Sequence, residues 1–399
     1  MRSVVKASAA VIAATLFLAG CSGKPDDSSS PAPLTEVGVT VKTDELPVLT
    51  GAYGEAPTIA FPLREGQSSP SPTPEPVPGE GEEAPAEGEE TAEGEEAASP
   101  PAEGEETASP PESPYIKPPG SIQAQVQPDM AGDGAPIKVD NLASVDLVIW
   151  EWGETEPLPG LNTFVSDAPV VLPIRTDNPS MLGLARVIAG HKIGSRVLGV
   201  IPPSEGALAA AMGLDEGSTL VVSVDIRDQF SKDSQAQKDA KPTDERIPVK
   251  INGELGGPAT VTVPADAAPP TGISTVVIAT GTGPVIEEGQ QILVHYSATD
   301  WSGKKDSDTW TEGRGPAPET ITADPYGDGS VLSAFSGLIG VPIGSRVLIL
   351  TPGKDGSYLA VAIVVDIVAI VPGNPDKEEA EAEGAGEETA DQKDEQTDE

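Results

Sequence analysis

The chain has 399 residues and a formal net charge of −40, from 64 Asp and Glu against 24 Lys and Arg; a surface this acidic repels a phosphate backbone, so nucleic acid is excluded as a partner. One Cys and two His rule out a disulfide within the chain, a Cys-rich zinc site and a CxxC redox pair, and leave almost nothing for a His-based triad. With 43 Gly, 42 Pro and only 4% aromatics, long stretches of the chain bury no core.

Residues 1–20 read as an export signal. Arg2 and Lys6 precede a largely apolar run from Ala7 to Leu18, and about twelve such residues are too few to span a bilayer. The run ends Leu18-Ala19-Gly20-Cys21, which resembles a bacterial lipobox. The resemblance implies that Cys21 is diacylated and becomes the mature N-terminus, anchoring an extracytoplasmic protein to the outer face of the cell membrane through its lipid. An ordinary export signal with an incidental Cys is the alternative. Residues 21–33 read as a linker, and no later segment has the roughly 18 unbroken apolar residues of a membrane span.

From residue 34 one plan is used twice. Ile-Gly-Ser-Arg-Val-Leu occurs at 193–198 and again at 343–348, 150 positions on, and Ser180-Met181-Leu182 matches Ser330-Val331-Leu332 at the same offset. Val224-Asp225-Ile226 matches Val365-Asp366-Ile367 at 141, and Thr58-Ile59-Ala60-Phe61-Pro62 matches Thr260-Val261-Thr262-Val263-Pro264 at 202. The changing offset puts 52 additional residues inside the first copy and removes nine from the second between Arg346 and Asp366.

Residues 66–114 supply most of the excess, with fourteen Glu, no Lys or Arg, and four Glu-Gly-Glu-Glu units. Such an acidic Pro/Gly-rich run is expected to be a disordered, solvated spacer. The tail, 373–399, has twelve acidic residues against two Lys and is expected to behave alike. Neither has the spacing of a calcium loop, so no metal site is expected. The expected division is a first domain from 34–65 and 115–230, a linker at 231–246, and a second domain at 247–372.

Each copy reads as short strands with turn punctuation. Ile59 and Phe61, then Val261 and Val263, alternate with small or polar neighbours and stop at a Pro. Gly132-Asp133-Gly134 and Gly281-Thr282-Gly283 mark turns, and the latter is too short for a nucleotide-binding fingerprint. Alternation of Ile292, Val294 and Tyr296 puts Tyr296 inward and turns His295 away. Leu220–Ile226 and Leu359–Ile370 are nearly unbroken apolar runs, expected at the buried centre of a sheet. Leu332, Phe335 and Ile339 stand at helical spacing, which predicts a short helix within Ser330–Gly340. His191, between Gly190 and Lys192, reads as an exposed turn residue. Each copy is therefore expected to be α+β, an antiparallel sheet wrapped round one short helix and long enough for its own core.

These blocks resemble the FKBP-type peptidyl-prolyl isomerases, in the two-copy lipoprotein form of actinobacteria. Gly289-Gln290-Gln291-Ile292-Leu293-Val294-His295-Tyr296 is similar to the family's strand ending in Tyr. Trp301-Ser302-Gly303-Lys304-Lys305-Asp306-Ser307 resembles its Trp-x-Ser-Gly-Lys-x-Phe-Asp-Ser-Ser segment with the Phe missing. Val331-Leu332 and Phe335 stand where it has Val-Ile and a pocket-floor Trp, and Val341–Val347 is similar to its Gly-Ser-Arg-Val turn and strand. The first copy adds Ile201-Pro202-Pro203 and Gly217–Val221. The resemblance covers 34–64, 115–230 and 247–371. It implies two tandem FKBP-like domains, no cofactor, and isomerase or folding-factor action on proline-containing polypeptide segments.

Rotation about an X–Pro bond meets a barrier of about 18–20 kcal/mol, because the amide loses resonance as it twists. An apolar pocket that favours the twisted amide lowers that barrier without nucleophile, metal or proton relay. The resemblance makes Tyr296, Asp306, Leu332 and Phe335 of the second copy catalytic, with Val331 and Tyr358 binding substrate. Phe335 would lie under the proline ring, the Leu332 N–H and the Tyr296 hydroxyl would hold carbonyls, and Asp306 would orient Tyr296 or face the amide. Tyr296 and Phe335 are equally expected as core aromatics, and Asp306 as a turn residue after Gly303. The missing Phe and a shortened loop after Pro352 leave this pocket open. In the first copy Trp150 replaces the Tyr, Ala185 falls at the floor, Phe164 stands for the missing Phe with Val165 after it, and Ala207–Ala211 replace the covering loop's aromatic. No catalysis is expected there. The alternative for the whole chain is a non-catalytic binding or scaffold lipoprotein, and a third is a generic β-rich surface lipoprotein.

Overall fold

The computed structural model describes residues 45–68, 113–165, 169–310, 315–323, 331–354 and 359–373, with the side chains of 306 and 331–333 left out. The expected export signal, Cys21, Tyr358, and most of the expected acidic spacer and tail lie outside the described residues. Contacts divide the chain into a large unit, Met1–Phe61 with Pro118–Glu399, and a small one, Pro62–Lys117. In the small unit the two ends pair: Leu63 bridges Tyr115, and the Arg64 N–H donates to Pro114 O at 2.9 Å.

The large unit is built mostly of antiparallel sheet, with few and short helices. Strands β1 (Val48–Thr50) and β2 (Thr58–Ala60) form a hairpin. A five-stranded sheet follows from β3 (Gln123–Val126), β4 (Leu142–Glu151), β5 (Val170–Pro173), β6 (Arg196–Ile201) and β7 (Leu220–Phe230), in the order β3-β6-β7-β4-β5. Helices α1 (Leu182–Ile188) and α2 (Leu208–Ala211) belong to this half. The second half opens with β8 (Lys241–Pro242) and a hairpin of β9 (Lys250–Asn252) and β10 (Thr260–Thr262). Its sheet uses β11 (Ser274–Thr280), β12 (Gln291–Asp300), β13 (Lys305–Asp308), β14 (Ala317–Thr320), β15 (Arg346–Thr351) and β16 (Val361–Val371), in the order β13-β12-β16-β15-β11-β8 with β14 also on β12. A 3-10 helix, Val331–Leu338, packs on β15 as α1 packs on β6.

Both faces of these sheets are covered, which is why their strands read as apolar runs. In the second half Phe335 and Leu338 sit on Val294, Val347, Ile349 and Val365. From the other side Val249 and Val261 cover Leu348, Leu350, Ala362 and Val364. Three expectations need correction. His295 does turn from the helix face, yet it is only 2% exposed, because the opposite face is roofed too. The helix is 3-10, so positions three apart share a face: Phe335 and Leu338 are buried while Ile339 is 39% exposed. His191 is half-buried rather than exposed, and burial pushes its pKa down.

The repeated blocks meet at one device in each half. Arg196 donates through Nε and Nη2 to Asp225 at 2.6 and 2.8 Å, and Arg346 does the same to Asp366 at 2.6 and 2.8 Å. The remaining donors reach the hairpin loops: Gly51 O and Glu55 O in the first half, Gly253 O, Glu254 O and Gly257 O in the second. The Ser before each Arg accepts a backbone N–H at 2.9 Å, Gly132 to Ser195 and Gly281 to Ser345. A Cβ at Gly132 or Gly281 would collide with the carbonyl of Ile193 or Ile343, so these turns need Gly for close approach. The hexapeptide is thus a structural staple that ties sheet to hairpin.

The halves also bury apolar surface together. Leu142 and Val171 of the first sheet cluster with Leu293 and Val371 of the second, flanked by Phe230 and Val368. Residues 231–246 lie along the second sheet. There the Thr243 N–H donates to Ile278 O at 2.9 Å, Gln237 Oε1 accepts the Thr282 N–H at 2.8 Å, and Ala236 and Ala240 are buried.

Candidate functional site

On the helix face of the second sheet, β12 and the 3-10 helix bring Tyr296 and Phe335 onto one apolar cluster with Ala298, Ile349 and Ile363. Alternation along β12 fixes Tyr296 on this face, two residues beyond Val294. Its backbone is clipped twice by Thr309: the Tyr296 N–H donates to Thr309 Oγ1 at 3.0 Å, and the Thr309 N–H donates to Tyr296 O at 3.0 Å. Val331 and Leu332 open the 3-10 helix, where first-turn N–H groups have no acceptor within a helix. Asp306 is the extra residue of a bulge, since Ser307 pairs with Ala298 and Lys305 with Thr299. Of the pocket residues expected from sequence, Tyr296 and Phe335 come together, Val331 and Leu332 share the helix of Phe335, Asp306 lies on the strand beside that of Tyr296, and Tyr358 is outside the described residues.

The turn between β12 and β13 is set by Asp300, whose Oδ1 accepts the N–H groups of Ser302 and Lys304, both at 2.9 Å. The Ser302 hydroxyl holds this carboxyl below its usual range. Glu319 on β14 pairs with Ile292 and so shares the helix face. Burial pushes its carboxyl up to about 7.

The first half is read through a shared bulge. Val145 and Val294 each follow the register shift in their strand, so Leu147, two residues on, stands where Tyr296 stands. Trp150 does not replace the Tyr: it falls opposite Thr299 in this correspondence and lies on the other face, 1% exposed. Along this strand the offset is 149, one short of the block offset of 150, whereas pairing Trp150 with Tyr296 would need 146. Phe164 is also not a pocket residue. Its ring lies 5.4 Å from Arg196 Cζ, on the side of the hairpin, and Thr163 turns toward the helix face instead. Ala185 sits on α1, 2% exposed. Residues Leu147, Thr163, Met181, Leu184, Leu208 and Met212 help to line an apolar cavity of about 10 Å³, barely room for one water.

Two functional-looking features escaped the sequence reading. Thr163 Oγ1 accepts the Leu147 N–H at 2.8 Å, as Thr309 serves Tyr296, so Thr163-Phe164 and Thr309-Trp310 are a repeated pair. The signal was a lone Thr-aromatic dipeptide after each strand. His295 was the other: it stacks on Trp310, ring centroids 5.2 Å apart and 13° between planes. Its Nε2 lies 3.0 Å from Ser234 O and its Nδ1 3.0 Å from Thr309 Oγ1.

Among the described residues no group of three or more His, Cys, Asp or Glu is placed to hold a metal ion, and no helix is long and apolar enough to cross a membrane.

No family model and no curated protein matches the chain. Solved structures do. FkpA from Escherichia coli is 18% identical over 32% of this chain and 54% of its own, with a TM-score of 0.22. A peptidyl-prolyl cis-trans isomerase from Pseudomonas syringae is 15% identical over 28% of this chain and 76% of its own, TM-score 0.22. The three FKBP domains of wheat FKBP73 are 14% identical over 63% of this chain and 95% of theirs, TM-score 0.24. The chain thus spans about half the length of FkpA. The solved structures it is similar to are FKBP-type peptidyl-prolyl isomerases, some of them multi-domain.

Proposed function

We propose that this is a lipid-anchored, extracytoplasmic prolyl isomerase or folding factor made of two FKBP-like domains, with its activity in the second. The observation that carries the reading is the meeting of Tyr296 and Phe335 on one apolar cluster beside the first turn of a short helix. A proline ring packed on Phe335 would leave its amide in an apolar surround, which favours the less resonance-stabilised twisted form. Backbone N–H groups of the helix's first turn, Leu332 among them, and the Tyr296 hydroxyl are the donors for the flanking carbonyls. This chemistry asks for no cofactor. The small apolar cavity of the first half, with Leu147 and Ala185 in place of the two aromatics, favours a non-catalytic scaffold role for that half. Client segments are proline-containing polypeptides near the membrane that Cys21 would anchor.

The test is exchange NMR of a short X–Pro peptide with the chain from residue 21 carrying Cys21→Ser. The whole chain is needed because residues 231–246 and the shared apolar cluster belong to the second half's packing. Faster isomerisation that falls about tenfold or more in Phe335→Ala, with folding checked by circular dichroism, is the expected result. A folded chain that accelerates nothing would leave a binding module, and peptide titration would then be the measurement.

A further inference from the structure

Behind Tyr296, on the face turned from the candidate pocket, runs a chain of polar contacts that the proposed activity does not use. His295 Nε2 lies 3.0 Å from the Ser234 carbonyl, an acceptor only, and 3.4 Å from the Gln235 amide nitrogen, and the shorter contact puts the ring proton on Nε2. Neutral Nδ1 must then accept, and the group 3.0 Å away is the Thr309 hydroxyl. The same Oγ1 receives the Tyr296 N–H at 3.0 Å, and Tyr296 O lies 3.4 Å off as a second acceptor for the hydroxyl proton. Trp310 closes the arrangement: its ring stacks on His295 and its Nε1–H donates to Gln235 Oε1 at 2.9 Å.

We propose that Thr309 and His295 are positioning residues for Tyr296, forming a proton-sensitive relay from residues 234–235 to the candidate pocket. With the imidazole neutral, the Thr309 hydroxyl points to Nδ1. Once the ring takes a second proton, Nδ1–H becomes a donor, and the hydroxyl must swing its hydrogen to Tyr296 O. The backbone that sets the phenol then has one partner rearranged. The first half keeps the Thr clip but not the switch, for Asp146 stands at the His295 place and pairs with Arg227 at 2.6 Å.

Among the described residues, the charged groups facing His295 are few. Asp366 lies directly across on β16, held by Arg346. Asp308 on β13 is paired with Lys305. Burial holds the ring below the ordinary histidine range, against the opposing pull of the Ser234 carbonyl and Asp308. Proton uptake therefore falls on the acid side of an ordinary His, where a protonated imidazole quenches a stacked indole more strongly.

The inference rests on the prolyl-isomerase reading of the site, and its test separates the two. On the whole chain, Trp310 fluorescence and the ¹⁵N amide of Tyr296 are followed as pH falls. Both are expected to change with one midpoint, and His295→Asn to abolish both changes. In peptide exchange, Thr309→Val is expected to lower kcat about fivefold with KM unchanged, and Thr309→Ser to restore it. A Tyr296 amide that ignores the His295 midpoint overturns the relay, whatever the activity. A folded Thr309→Val with parental kcat overturns it as well. If the parent chain isomerises nothing, the reading of the site fails, and the amide titration alone decides the relay.

Discussion

A guanidinium taken out of water needs a partner for every donor, and Arg346 shows how this chain meets that demand. Its side chain is 2% exposed and that of Asp366 0%. The carboxylate matches the fork of the guanidinium, Gly253 O accepts from Nη1, and Glu254 O and Gly257 O share the second hydrogen of Nη2. Removing one member leaves the other charge buried and unpaired. Arg346→Met is therefore expected to cost about 3–5 kcal/mol in urea unfolding. Adding Asp366→Leu should recover part of that loss, since the orphan carboxylate is gone while the three carbonyls remain unserved. Equal destabilisation by the single and double variants would mean that the hairpin clamp, not the ion pair, dominates.

Among elements, the two edge strands beside the cores differ in one informative place. Glu319 on β14 faces inward opposite Ile292, and on β5 the corresponding residue is Leu172, opposite Ala143 and 3% exposed. The folded Glu319 pKa of about 7 stands above its ordinary 4.5. Its contribution is intact below about pH 4.5, and it is lost as pH rises through about 7, because the unfolded chain gives up this proton first. Glu319→Leu should thus stabilise by about 1–2 kcal/mol at pH 8 after allowance for partial exposure, and by much less at pH 4. The same gain at both pH values in thermal unfolding would refute this. The neighbouring strand shows how far such features were legible. Period-two alternation found Val294 and Tyr296 because it reports one face. It misjudged His295 because the cover on the other face, Ser234 and Trp310, comes from distant sequence. Helical spacing found Phe335 but chose Ile339 over Leu338, since spacing alone does not separate 3.0 from 3.6 residues per turn over two turns. Arg196, Asp225 and their counterparts stood in the repeated blocks, but their pairing needed β6 beside β7 and β15 beside β16 to be known.

At the scale of the molecule, the consequence of duplication is that two similar sheets can share a core. Leu142, Val171, Leu293 and Val371 are each at most 3% exposed, and they join the halves where Phe230 and Val368 flank them. Burial of that kind couples the melting of one half to the other. The four Trp residues divide evenly for a test: Trp150 and Trp152 report the first half, Trp301 and Trp310 the second. Chains keeping one pair, the other changed to Phe, should give coincident thermal transitions. Leu293→Ser removes a large side chain from the centre of the shared cluster, at about 2–5 kcal/mol by analogy with truncation to Ala. The two transitions should then separate, with the second half melting first. Transitions already apart in the parent chains would mean that the shared cluster is too small to bind the halves into one cooperative unit. The positioning of Tyr296 by residues 234–235 would then be a property of the second half and its connector alone.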